Sequence, residues 1–88
     1  MFKRRPPIHI TVRLYSGLDR EAKVEDYEFS QGIAVQLPEG SRVKTVARKL
    51  GLRNISRILF VVNGQKVGLD HPLAEGEELI CLRPSAGG

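Results

Sequence analysis

Between residues 8 and 15 the chain alternates strictly: Ile8, Ile10, Val12 and Leu14 fall on one side, His9, Thr11, Arg13 and Tyr15 on the other. An extended backbone sends every second side chain to the same face, so this stretch predicts a strand with one face buried. The pattern returns over residues 31–37, where Ile33, Val35 and Leu37 share a face until Pro38-Glu39-Gly40 breaks the run, and it predicts a second main strand. The intervening segment is less regular. Ser16-Gly17 reads as a turn, Leu18 to Ala22 as one helical turn, and Val24 to Phe29 as the start of a strand that bends near Ser30-Gln31-Gly32.

The period then changes. Val43, Val46, Ala47 and Leu50 are spaced i, i+3, i+4 and i+7, one apolar stripe of a helix of about ten residues. Ser41 is placed to cap its start, Gly51 to supply a left-handed cap at its end, and Leu52 to fold back on the last turn. Its outer face carries Arg42, Lys44, Arg48 and Lys49. The last two suit the negative end of the helix dipole and the first two oppose it, a small cost that either a partner surface or solubility would justify.

Further on, Ile58 to Val62 is apolar throughout, which predicts a strand in the middle of a sheet. Asn63-Gly64 is a strong signal for a two-residue hairpin, leading to a short strand around Lys66-Val67. Leu69 to Glu78 reads as a compact connection with turns at Asp70-His71-Pro72 and Glu75-Gly76, and Leu79 to Leu82 as a last, central strand. Strand, strand, helix, strand, strand, strand is the order of the β-grasp fold, an α+β architecture. With the two apolar strands inside, the expected mixed sheet of about five strands has the order 2-1-5-3-4 and one packed helix.

Length and composition narrow the function. At 88 residues and 41% hydrophobic content the chain is expected to form one small domain over residues 1–82, preceded by a basic arm at residues 1–7 and followed by a flexible tail at residues 83–88. No apolar run approaches the ~18 residues of a membrane helix and no signal-peptide core follows Lys3-Arg4-Arg5, so a soluble cytoplasmic protein is expected, without membrane partners. A single cysteine, Cys81, rules out a disulfide framework and a cysteine zinc site, and its apolar neighbours make it a small buried hydrophobe. His9 and His71 have no companions at metal-ligand or catalytic spacing. Net charge is +4, unevenly spread: five of the ten acids lie between Asp19 and Glu28, while residues 42–57 hold six bases and no acid.

The chemistry is expected at the end of the chain, Arg83-Pro84-Ser85-Ala86-Gly87-Gly88. Two residues without Cβ let a backbone lie extended in a slot too narrow for side chains, and Pro84 ends the strand before them because it has no N–H for a sheet ladder. Chance alone would place Gly-Gly there in roughly one chain in two hundred, so the tail gains weight only with what precedes it. What precedes it is the ordered series Val62-Asn63-Gly64, Leu69-Asp70-His71-Pro72-Leu73, Glu75-Gly76-Glu77-Glu78-Leu79 and a strand. This series, ending in Gly-Gly, strongly resembles the ubiquitin-like sulfur carriers, the small subunit of molybdopterin synthase and the thiamine sulfur carrier (MoaD and ThiS types). The resemblance covers about the last thirty residues closely. The long connection after the first strand tilts it toward the molybdopterin type, whereas Arg83-Pro84 stands where that type often has two prolines.

The resemblance implies a protein substrate and not an enzyme. An E1-like adenylyltransferase would activate the Gly88 carboxylate with ATP, a persulfide sulfur donor would convert it to a thiocarboxylate, and a synthase large subunit would receive the sulfur. The chain itself would bind no cofactor and no metal. Gly88 would carry the acyl group, Gly87 would allow passage through the partner's channel, and Leu82, Arg83, Pro84, Ser85 and Ala86 would touch the partner. Molybdopterin, thiamine and thiolated tRNA synthesis all remain open as destinations. Attack by a lysine amine in place of sulfur would make the chain a ubiquitin-like modifier instead. A third reading, an RNA-binding β-grasp module, draws on the basic helix face but finds no aromatic residues interleaved with the bases and no use for Gly-Gly.

Overall fold

The structure, a computed structural model, describes residues 5–22 and 31–84. In chain order the elements are β1 (Ile8–Leu14), the single-turn helix α1 (Leu18–Glu21), β2 (Ile33–Leu37), α2 (Val43–Lys49), a 3₁₀ turn at Ile55–Arg57, β3 (Leu59–Val62), β4 (Gln65–Val67) and β5 (Glu78–Leu82). The five strands form one sheet in the order β2-β1-β5-β3-β4. β1 and β5 run parallel, with Val12 opposite Leu79 and Leu14 opposite Cys81, and the other pairs are antiparallel. This is the β-grasp topology expected from the element order. The strand expected to start over Val24 to Phe29 lies outside the described residues.

Alternation sorts the sheet into two faces. On the α2 side Ile8, Ile10, Val12, Leu14, Val35, Leu37, Phe60, Val62, Leu79 and Cys81 are buried in one cluster with Val43, Val46 and Ala47 of the helix. Burying a Val or Leu side chain contributes about 1.5–3 kcal/mol, and this docking is what sustains a seven-residue helix too short to persist alone. Leu59, Val61, Ile80 and Leu82 take the opposite face and are half-buried, which explains why β3 and β5 read as apolar without interruption.

Both ends of α2 differ in instructive ways. At the C-terminus the Gly51 N–H donates to the Arg48 carbonyl (3.1 Å) and the Leu52 N–H to the Ala47 carbonyl (3.0 Å), a Schellman motif with Gly51 at φ 73° and Leu52 buried, as the sequence predicts. At the N-terminus the prediction for Ser41 is corrected. Arg42 is the N-cap, and the Ser41 hydroxyl instead donates to the Pro38 carbonyl at 2.7 Å. The helix's first amides find partners elsewhere: Val43 N–H donates to the His71 carbonyl (3.0 Å) and Lys44 N–H to the Leu69 carbonyl (2.9 Å). The 69–73 loop therefore caps the helix, satisfying donors that a helix cannot satisfy itself. The strand start at residue 31 is also corrected, because the ladder begins at Ile33, with Gly32 at φ 73° forming the bend.

Candidate functional site at the root of the tail

β5 lies between β1 and β3 and so delivers the chain out of the centre of the sheet. Its ladder ends at Leu82, opposite Leu59, while Tyr15 N–H extends the parallel side by donating to the Cys81 carbonyl at 2.9 Å. Leu82 is half-buried on the sheet face away from α2. Arg83, one residue past the ladder, is held, and Pro84 is exposed. Ser85, Ala86, Gly87 and Gly88 lie outside the described residues.

What holds Arg83 comes from two distant parts of the chain. Its guanidinium forms a two-pronged ion pair with the Glu21 carboxylate, one nitrogen on Oε2 and the other 3.3 Å from Oε1. The second nitrogen also donates to the Arg53 carbonyl at 2.8 Å. Glu21 reaches this position because α1 is folded tightly against the end of β1. Ser16 and Gly17 both adopt positive φ, Leu18 N–H donates to the Tyr15 carbonyl, and Leu18 and Ala22 on either side of Glu21 are buried. Arg53 reaches it because the Schellman turn ends α2 just before it. The hydrogen bond from Arg83 holds the Glu21 carboxyl below its ordinary value; burial opposes this, and the Arg53 backbone hydrogen bond adds to the lowering. Arg20, Glu21, Arg53, Asn54 and Arg83 together line an open cleft.

The other chemistry-bearing residues lie away from this cleft. Burial pushes the Cys81 thiol up to about 12, far from a nucleophile's range. His9 is exposed at the far end of β1 and lies 3.1 Å from the Glu75 carboxylate, a pairing that its polar-face position alone did not disclose. His71 contributes its carbonyl to the cap of α2. Among the described residues no three of His, Cys, Asp and Glu gather in a way that could hold a metal ion. Nor is any described helix long and apolar enough to cross a membrane. The sequence named Arg83 as a partner contact and did not disclose its pairing with Glu21 and Arg53. Glu21 sits in an acidic stretch where nothing local distinguishes it, and its partner is 62 positions away.

The sequence profile of the ThiS family matches residues 20–88, from α1 through the Gly-Gly end, and includes Glu21, Arg53 and Arg83. The chain belongs to the ThiS family. Among solved structures, this ThiS-family chain is similar to SAMP1 from Haloferax volcanii, with a TM-score of 0.64 and 19% identity over 91% of this chain and 99% of that one. It is also similar to a molybdopterin converting factor subunit 1 from Pyrococcus furiosus (TM-score 0.64, 18% identity, 89% and 99% covered). A third similar structure is the ubiquitin of Caldiarchaeum subterraneum (TM-score 0.58, 11% identity, 93% and 99% covered). At these identities the structures establish a shared ubiquitin-like fold. Curated proteins yield no match.

Proposed function

We propose that this ThiS-family protein is a sulfur carrier that acts as a substrate of other enzymes through Gly88. A carboxylate is a poor acyl donor because its charge repels nucleophiles and oxide is a poor leaving group. Activation solves both problems. The Gly88 carboxylate attacks the α-phosphorus of ATP on an E1-like adenylyltransferase, pyrophosphate departs, and an acyl adenylate forms. The terminal sulfur of a persulfide donor then attacks the acyl carbon, AMP leaves with the bonding pair, and thiol cleavage of the resulting S–S bond leaves the thiocarboxylate. A synthase large subunit, of the molybdopterin type in the first instance, takes the sulfur from the extended arm.

The observation that carries this reading is the family match running through Gly88 on a chain whose central strand directs residue 83 outward from the sheet. A folded body with its apolar interior filled by side chains serves as a handle, and the reactive group belongs to the tail. Intact-mass measurement of protein purified from its native host tests the proposal. A mass gain matching one oxygen replaced by sulfur, mapped to the terminal peptide, is the expected result. A terminal peptide that never carries sulfur under conditions of sulfur demand would defeat it.

A second reading is favoured by a specific observation. A solved structure of the same fold, 19% identical with a TM-score of 0.66, is described as H. volcanii small archaeal modifier protein 1, and by that analogy conjugation of Gly88 to lysine amines is the competing fate of the same activated acyl group. Lysine adducts ending in Gly-Gly from this chain would distinguish it. The RNA reading loses ground on the helix face that suggested it: Arg42 and Lys44 pair with Asp70, and Lys49 donates to the Gln36 carbonyl.

A further inference from the structure

We propose that Glu21 is a positioning residue for the tail: its carboxylate fastens the Arg83 guanidinium to α1, so that Pro84 and the residues after it start from a fixed root. This rests on the sulfur-carrier reading and names the device that would aim its acyl group.

Arg83 is the first residue beyond the sheet ladder, the place where a chain end ordinarily frays. Here it makes contacts to two separate segments, the Glu21 carboxylate of α1 and the Arg53 carbonyl after α2. The planar guanidinium suits this task because its nitrogens can engage both carboxylate oxygens and a carbonyl at once in a fixed fork, which an ammonium group does not. The anchoring side is itself packed into the body of the fold. Glu21 stands between buried Leu18 and Ala22, and α1 is stitched to the end of β1 by the Leu18 N–H bond to Tyr15. Both halves of the ion pair are partly shielded, with side-chain exposures of 31% for Arg83 and 26% for Glu21, unlike the freely solvated pair Arg5–Glu39 at 75% and 43%.

Fixing the root at Arg83 defines a working length. From Pro84 to the proposed acyl carrier Gly88 there are five residues, which fully extended span at most about 17 Å, enough to carry a carboxylate into a buried site on a partner. Pro84 adds a fixed φ as the arm leaves the clamp. With the clamp open the arm's origin is no longer fixed, and its end searches a larger volume before it finds the partner's slot. The cost appears in productive binding, and the chemical step once bound is unaffected.

The test uses the full chain with its E1-like adenylyltransferase, following exchange of labelled pyrophosphate into ATP, and ¹⁵N relaxation of the free protein. Arg83 can itself touch the partner, so Glu21→Gln carries the test and Arg83→Gln completes a double-mutant cycle. Glu21→Gln is expected to raise KM about fivefold with kcat unchanged, the weight of re-ordering roughly one backbone residue. The double variant is expected to be no worse than Arg83→Gln alone. Arg83→Lys, which keeps charge without the fork, should behave like Glu21→Gln. The Arg83 amide order parameter is expected to fall from about 0.85 to below about 0.6 in Glu21→Gln. An unchanged order parameter, additive effects in the cycle, or unchanged KM with a loosened Arg83 would each overturn the proposal. If the wild-type chain supports no exchange at all, the sulfur-carrier reading is what fails, and the relaxation measurement alone decides whether Glu21 anchors Arg83.

Discussion

Asp70 stands over the first turn of α2 with Oδ1 2.9 Å from Lys44 Nζ, and Arg42 approaches the same oxygen at 3.7 Å. The bases that oppose the helix dipole are thereby neutralised from within the chain, by the loop whose carbonyls cap the helix. The hydrogen bond from Lys44 and its charge hold the Asp70 carboxyl below its ordinary value. A carboxyl lowered in the folded state contributes stability that is present above the unfolded value of about 3.9 and lost as pH falls through the folded one. Asp70→Asn is therefore expected to lower the urea midpoint slightly at neutral pH. That difference should shrink below about pH 4 and in about 1 M salt, where exposed pairs are screened. A difference that persists undiminished in acid would assign the effect to the loop backbone and not to the charge.

Two glycines with the same backbone angle separate conformational strain from crowding. Gly51 and Gly32 both adopt φ 73°, but a Cβ at Gly51 meets nothing within 4 Å, whereas one at Gly32 would sit 2.7 Å from Thr11 Cγ2 and 3.0 Å from the Val12 carbonyl oxygen. Gly51→Ala should cost about 1–2 kcal/mol, the left-handed penalty alone. Gly32→Ala should cost that plus about 1–3 kcal/mol for displacing β1 backbone. Equilibrium urea unfolding of the two variants measures the difference, and equal costs would show that β1 yields freely at Thr11.

The core was legible wherever one element decided it. Strict alternation located Ile8, Ile10, Val12 and Leu14, all buried, and the Asn63-Gly64 pair located a hairpin turn with positive φ at both residues. Continuous apolarity placed β3 and β5 inside the sheet. What escaped was set by contacts distant in sequence. Ser41 has the right chemistry for an N-cap, but carbonyls of Leu69 and His71 arrive first, so the helix starts at Val43. Glu21 looks like any residue of an acidic stretch until folding brings it to Arg83. The 3₁₀ turn at Ile55–Arg57 is too short to leave a period, and its half-buried Ile55 is the sole apolar residue in it.

Leu79 ties the tail-bearing strand into the core. It pairs with Val12 in β1 and with Val62 in β3 and has no exposed surface. Leu79→Ala removes side-chain volume from the centre of a close-packed interior and is expected to cost about 2–5 kcal/mol. Set against a typical domain stability of about 5–15 kcal/mol, this would bring so small a protein near its unfolding threshold. The thermal midpoint by circular dichroism reports it.

Cys81 provides a control on where sulfur chemistry occurs. Its thiol is buried against the helix side of the sheet and raised to about 12, so almost none of it is thiolate near neutral pH. The native protein is expected to leave an aromatic disulfide reagent unreduced for hours and to react fully once unfolded in urea. Reactive sulfur found on native protein would then belong to the tail. Rapid labelling of Cys81 in the native state would show that β5 opens readily and that the body is a looser handle than its packing implies.

The glycines of the tail are proposed for a slot that excludes side chains, and this can be tested without touching the core. Among the described residues the hydrophobic cluster has Cys81 as its last member, and Gly87→Val and Gly88→Ala remove no side chain from it. Both variants are expected to unfold at the wild-type urea concentration. On the activating enzyme a methyl or isopropyl group displaces the carboxylate oxygen from in-line approach to the α-phosphorus, and misplacement by about 1 Å can cost a hundredfold in rate. Pyrophosphate exchange should therefore fall by about that factor or more in each, with Gly88→Ala acting at the reacting centre and Gly87→Val at the passage to it. Normal exchange by both variants, with folding intact, would remove Gly88 from the chemistry and leave the tail without the role assigned to it.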